Sequence, residues 1–296
     1  MLDRHADHYG HIRIFFAGNA CKARRIMLYF HTVKGDDGMR IVVKIGTSTL
    51  AHATGLLNIQ RVERLCTVIS DLKNAGHEMI MVSSGAIGMG TGKLSLKTRP
   101  SDIPTKQAAA AVGQCELMYT YDRLFSAYNH TVAQILLTGD DIEHDDRRRN
   151  FENTMGRLLE LGALPIINEN DTIATQEIVI GDNDTLGAIV AKAVKADLLI
   201  LLSDIDGLFT ADPHKDPQAT LISVVPEINE EIEAMTGGAG SALGTGGMQT
   251  KLHAARLATE NGIDMVIANG KNPAVLYEIV AGKPIGTRFL AKERAE

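Results

Sequence analysis

Two lysines and a run of acids stand where a phosphorylated ligand could be held. Lys44 is the last residue but one of the β-branched run Arg40–Ile45, which is followed by Gly46-Thr47-Ser48-Thr49. Lys251 closes Gly244-Thr245-Gly246-Gly247-Met248-Gln249-Thr250-Lys251 and opens an amphipathic stretch. Between them lies Gly181-Asp182-Asn183-Asp184, directly before the apolar run Thr185–Ala196. A helix start exposes unpaired N–H groups and the positive end of its dipole, so anions and carboxylates gather there. A lysine inside an apolar strand is costly unless paired, and one in the first turn of a helix opposes the dipole. Both placements favour a role with anions. Asp182 and Asp184 also read as an ordinary N-cap and a surface acid. Ser83-Ser84-Gly85-Ala86 adds another strand-to-helix loop rich in N–H donors. Together these stretches suggest a site for a phosphorylated ligand and an acidic small molecule.

Two common phosphate-binding schemes fail on spacing. A Walker A loop needs G-x-x-x-x-G-K-[ST], but Gly92-Lys93 is followed by Leu94, and Lys251 follows Thr250. Gly88, Gly90 and Gly92 do not make the dinucleotide fingerprint either.

Strands and helices alternate around these loops. Apolar runs predict strands at Arg40–Ile45, Met79–Val82, Val132–Leu137, Leu164–Asn168, Asp197–Leu202, Ile263–Ala268 and Ile285–Leu290. Helices are expected at Asn58–Ala75, Thr105–Tyr128, Asp146–Leu161, Asp182–Lys195, Glu227–Met235, Met248–Asn261 and Pro273–Val280. Gly46–Gly55 and Thr236–Gly247 read as glycine-punctuated loops, Gly85–Gly92 as a glycine-rich stretch, and Ile173–Ile180 as a short hairpin or lid. This alternation predicts a mainly parallel sheet with helices on both faces. The polar loops then fall at its carboxyl edge, where open α/β sheets bind ligands.

The 296 residues suffice for one large α/β domain or two small ones. A net charge of −6 disfavours a nucleic-acid partner. Cys21, Cys66 and Cys115 lack metal-ligand spacing and fit a reducing compartment. No apolar run reaches the length of a membrane span. Residues 1–38 carry scattered charges and histidines with no period; they are expected to be a loosely attached or non-native extension, with Met39 a candidate start.

The motifs Lys44-Ile45-Gly46-Thr47-Ser48, Ser83-Ser84-Gly85-Ala86-Ile87, Lys106-Gln107-Ala108-Ala109-Ala110, Asn168-Glu169-Asn170-Asp171, Gly181-Asp182-Asn183-Asp184 and Gly246-Gly247-Met248 through Lys251 resemble the amino acid kinase superfamily. More narrowly they resemble its glutamate 5-kinase family, from about Arg40 to Leu290. The resemblance implies an α/β, three-layer αβα sandwich with a mainly parallel central sheet. It implies transfer of the γ-phosphoryl of ATP to the side-chain carboxylate of L-glutamate, the first step of proline biosynthesis, with Mg²⁺ accompanying the nucleotide. Lys44 and Lys251 would contact the moving phosphoryl group from two sides and Asp184 would hold both. Ser84, Asp171 and Asn183 would bind glutamate, helped by Asn168 and Asp182. Lys44, Ser203, Asp204 and the loop Thr245, Gly246, Gly247, Met248, Gln249, Thr250 and Lys251 would bind ATP; no direct metal ligand is assigned.

The residue types suit that chemistry. A carboxylate acceptor is already a nucleophile, so the task is neutralising charge between two anions. Asp171 would accept from an α-ammonium, and the Asn183 amide would donate to a carboxylate. The resemblance further implies residues 39–195 as a glutamate-binding lobe, 196–296 as a nucleotide-binding lobe, a cytoplasmic homo-oligomer, no membrane partner, and feedback inhibition by proline through Ile173–Ile180. Many members carry a C-terminal PUA domain of the type found in RNA-modifying enzymes, and a form without it is expected here. The alternatives are another superfamily member, such as an acetylglutamate or carbamate kinase, and a non-catalytic amino-acid sensor.

Overall fold

A computed structural model describes residues 38–52, 56–173, 182–213, 215–235 and 247–292. The strands are β1 (Arg40–Ile45), β2 (Glu78–Ser83), β3 (Val132–Leu137), β4 (Leu164–Glu169), β5 (Leu198–Ser203), β6 (Val224–Val225), β7 (Asp264–Asn269) and β8 (Thr287–Phe289). The helices are α1 (Thr47–Leu50), α2 (Ile59–Asn74), α3 (Ala86–Lys93), α4 (Ile103–Ser126), α5 (Gly139–Glu143), α6 (Asp145–Glu160), α7 (Asn183–Ala193), α8 (Glu230–Ala234), α9 (Met248–Glu260) and α10 (Val275–Val280). The strands form one sheet in the order β3-β4-β2-β1-β5-β7-β8-β6. Every neighbouring pair is parallel except β7 with β8.

Side chains alternate across each strand, so the sheet sorts its residues into two cores. Ile41, Val43 and Ile45 join Leu65, Ile69, Leu117 and Tyr121 beneath α2 and α4. Val42, Val82 and Ile167 join Leu186, Val190, Leu252 and Ala255 beneath α7 and α9. The result is the expected αβα sandwich. The same alternation sends Lys44 to the α7 side, two residues after Val42.

Several local expectations change. The stretch Gly46–Gly55 contains the helical turn α1, and the glycine-rich Gly85–Gly92 is the helix α3. Glycine is a poor helix former, yet two glycines here are required by packing. A Cβ on Gly90 would sit 1.7 Å from the Ala109 carbonyl oxygen, and one on Gly113 would sit 1.8 Å from that of Ala86. Their absence lets α3 and α4 cross backbone to backbone. The short strand β6 and the turn α5 carry too few residues to show a period. The closing strand runs antiparallel to β7, which hydrophobicity alone does not disclose.

Candidate active site

The carboxyl edge is tied together by its own backbone. The Gly46 N–H donates to Leu202 O at 3.2 Å, the Ser84 N–H to Ile45 O at 3.1 Å, and the Gly270 N–H to Ser203 O at 2.7 Å. The loops after β1, β2, β5 and β7 therefore form one rim. At this rim α7 begins. Asp182 is its N-cap: Oδ1 accepts from the Thr185 N–H at 2.8 Å and Oδ2 from the Thr185 hydroxyl at 2.9 Å. Of the two acids, Asp182 takes the capping role, and Asp184 is no surface acid.

Asp184 is 1% exposed and lies between the two lysines. Lys44 Nζ stands 2.5 Å from Asp184 Oδ1, and Lys251 Nζ donates to Oδ2 at 2.9 Å. Thr250 Oγ1 adds a 3.2 Å bond to the same Oδ2. Burial pushes the Asp184 carboxyl up, but Lys44 and Lys251 outweigh that and hold it below the ordinary carboxylate range. Lys44 arrives from the strand and Lys251 from the first turn of α9, and both are buried. Gly187 permits the approach of α7: a Cβ there would lie 3.3 Å from the Lys44 Cβ. One carboxylate against two ammonium groups leaves a local excess of positive charge at the carboxyl edge.

Beside this bridge is a second polar cluster. Asn183 Nδ2 donates to Ser84 Oγ at 2.6 Å, to Asn168 Oδ1 at 3.2 Å and to Ser83 O at 3.4 Å. The nitrogen expected to donate to a ligand carboxylate is thus engaged within the protein. What stays open on Asn183 is Oδ1, buried and without a partner among the described residues. Asn168 donates onward to Gln114 Oε1 at 2.9 Å. Asp171 lies in the turn after β4, and burial raises its carboxyl above the usual range.

The nucleotide candidates divide. Ser203 ends β5 and Asp204 follows it, with Ser203 Oγ donating to Asp204 Oδ1 at 3.1 Å. They line a cavity of about 210 Å³ together with Ser48, Thr49, Arg61 and Lys271. Gly247 caps α9, and Met248, Gln249 and Thr250 form its first turn. Thr245 and Gly246 lie outside the described residues, as does residues 174–180 of the expected lid and 1–37 of the expected extension. Gln114 and Gly187 were not expected in the site. Gln114 had a signal: it is a polar residue on the face of α4 that also carries Ala110, Leu117 and Tyr121.

Two buried lysines on one carboxylate, at the ligand-binding edge of a parallel sheet, make the build of an enzyme that moves an anionic group onto an anionic acceptor. Known proteins agree. Residues 39–269 match the amino acid kinase family. The chain is 53% identical over 261 residues to the glutamate 5-kinase of Clostridium perfringens, covering 87% of this chain and 97% of that protein. It is 54% identical over 255 residues to the glutamate 5-kinase of Clostridium acetobutylicum, covering 86% and 96%. Among solved structures, a carbamate kinase from Giardia lamblia bound to AMP-PNP superposes with a TM-score of 0.60 at 18% identity, covering 87% of this chain and all of that one. An isopentenyl phosphate kinase does so at 0.60 and 16%, covering 84% and 99%. Those two likenesses establish the fold. The chain belongs to the amino acid kinase family, among its glutamate 5-kinases.

Proposed function

We propose that the protein transfers the γ-phosphoryl group of ATP to the side-chain carboxylate of L-glutamate, giving L-glutamyl 5-phosphate. The observation that carries this reading is the Lys44–Asp184–Lys251 bridge. An acceptor carboxylate needs no general base, so the chemistry reduces to holding two anions in line and spreading the charge of the transferring group. Lys44 and Lys251 flank that group, and Asp184 fixes the ammonium positions before the substrates arrive. Gly46 and Gly247 bring backbone N–H donors close without a Cβ in the way.

Asp171, raised by burial and without a partner among the described residues, suits the α-ammonium of an amino acid. The Ser84 hydroxyl suits its carboxylate, with Asn183, Asn168 and Asp182 building the wall behind. On this reading residues 39–195 hold the acceptor and 196–296 the nucleotide, through Ser203, Asp204 and the segment leading to Lys251. Mg²⁺ would neutralise the nucleotide phosphates. It would be carried on those phosphates.

The test is ADP release with L-glutamate, N-acetylglutamate, carbamate or no acceptor, each with and without proline. Turnover with glutamate alone is expected, lowered by proline. Turnover with N-acetylglutamate and none with glutamate would replace the substrate. Binding of an amino acid without turnover of any acceptor would make the protein a sensor.

A further inference from the structure

The polar cluster behind Ser84 extends inward through Asn183 and Asn168 to Gln114, and its donor–acceptor sense is fixed from the inside. The Glu169 backbone N–H can only donate, and it donates to Asn168 Oδ1 at 2.9 Å. That oxygen is therefore an acceptor, and the Asn168 nitrogen must face Gln114, whose Oε1 receives it at 2.9 Å. Asn183 must then turn its own nitrogen toward Asn168 Oδ1. The same nitrogen donates to Ser84 Oγ, which leaves the Ser84 proton free for an outside oxygen. Asn183 Oδ1 is left as a buried acceptor.

We infer that Gln114 is a positioning residue for the acceptor pocket: by receiving the Asn168 amide it sets the order of donors and acceptors presented through Asn183 and Ser84. This rests on the reading of Ser84 and Asn183 as acceptor-binding residues. The pocket then offers the Ser84 hydroxyl proton to a carboxylate and leaves the Asp171 carboxyl to meet an ammonium. That pattern distinguishes the carboxylate of an amino acid from its ammonium. Gln114 is well placed to hold it. It is 7% exposed, and α4 is locked against α3 by the bare backbones at Gly90 and Gly113. One and two turns on, Leu117 and Tyr121 are buried on the same face, and the Tyr121 hydroxyl lies 2.9 Å from Ser83 Oγ, next to Ser84. Without the Gln114 acceptor a buried Asn168 N–H loses its partner, and the amide gains a reason to rotate.

The test uses the full chain with whichever acidic acceptor the wild type phosphorylates, so loss of the glutamate reading would not disturb it. Gln114→Met removes the acceptor at similar volume, and Gln114→Asn withdraws it by one methylene. Both should raise KM for the acceptor roughly tenfold while KM for ATP and kcat stay near the parent values. Gln114→Glu keeps an oxygen in place and should stay within about threefold of the parent KM on the same scale. In a double-mutant cycle with Ser84→Ala, the KM effects should fall short of their product, because both act through one amide chain. An unchanged acceptor KM in Met and Asn variants that remain folded would overturn the assignment. So would equal loss in all three variants, a matching rise in ATP KM, or fully multiplicative effects in the cycle. Wild-type failure on glutamate would instead overturn the proposed substrate.

Discussion

Asp184→Asn is the sharpest test of the site, because it keeps the shape of the side chain and removes only the charge. With Nζ–O distances of 2.5 and 2.9 Å to the two oxygens of one carboxylate, the ammonium groups stand within about 8 Å of each other, and without the carboxylate they repel by at least roughly 2 kcal/mol at an effective dielectric near 20. The amide also turns an NH₂ donor toward one lysine, which has no acceptor to offer. Lys44 and Lys251 are only 7% and 5% exposed, so water does little to relieve either. Removing one partner of a buried ion pair costs about 3–5 kcal/mol. For a domain of this size that corresponds to a Tm lower by about 10 °C. On the proposed mechanism, lysines freed to relax would also leave the transferring group, and kcat should fall by about 10²–10³. A nucleotide restores negative charge to the site, so saturating ATP analogue should raise the variant's Tm by more than it raises the parent's. The assays are thermal melts with and without nucleotide, and steady-state ADP release. A Tm equal to the parent's, together with kcat within a few-fold, would refute the claim that this carboxylate holds the two cations.

Lys251→Ala should lower kcat by about 10²–10³ while the acceptor still binds, as measured by steady-state rates beside calorimetric titration. Burial places the Asp171 carboxyl above its ordinary value, and only the ionised form accepts from an ammonium. Acceptor kcat/KM should therefore fall as pH drops, with a break above the ordinary carboxylate value near about 3.9, and Asp171→Asn should remove that component and leave only the titration of the acceptor's own carboxyl. Asp184, held below its ordinary value by its lysines, contributes stability that is present above about pH 4 and lost as pH falls through its folded value. Denaturant midpoints measured down the acid limb should therefore decline less steeply in Asp184→Asn. Gly113→Ala places a Cβ 1.8 Å from the Ala86 oxygen and should destabilise the protein by about 1–3 kcal/mol or more in urea titrations, since backbone must move.

Period and punctuation made most of the architecture legible. Strands β1 to β5 and β7 are each six residues long and mostly apolar, enough to read without context. The glycine-rich α3 was not legible, because its helical state comes from the crossing with α4 and from no preference of its own. The site divided in the same way. Lys44, Lys251 and Asp184 declared themselves as charges in apolar or dipole-opposed settings. Gln114 showed only as a polar residue on an apolar helix face, and its burial and its partner came from the fold.

By itself, the amino-acid sequence determined the alternation of strands and helices, the mainly parallel character of the sheet and which residues carry charge in its loops, because hydrophobic period and helix-end chemistry are local properties. Only the tertiary structure decided that Asp182 caps a helix while Asp184 joins two lysines 207 residues apart in the chain, counting from 44 to 251. It alone decided that the Asn183 nitrogen faces inward. The physical reason is common to both: a hydrogen bond or ion pair between distant residues is chosen by distance and direction in the folded state, and neither is written in the spacing of residue types.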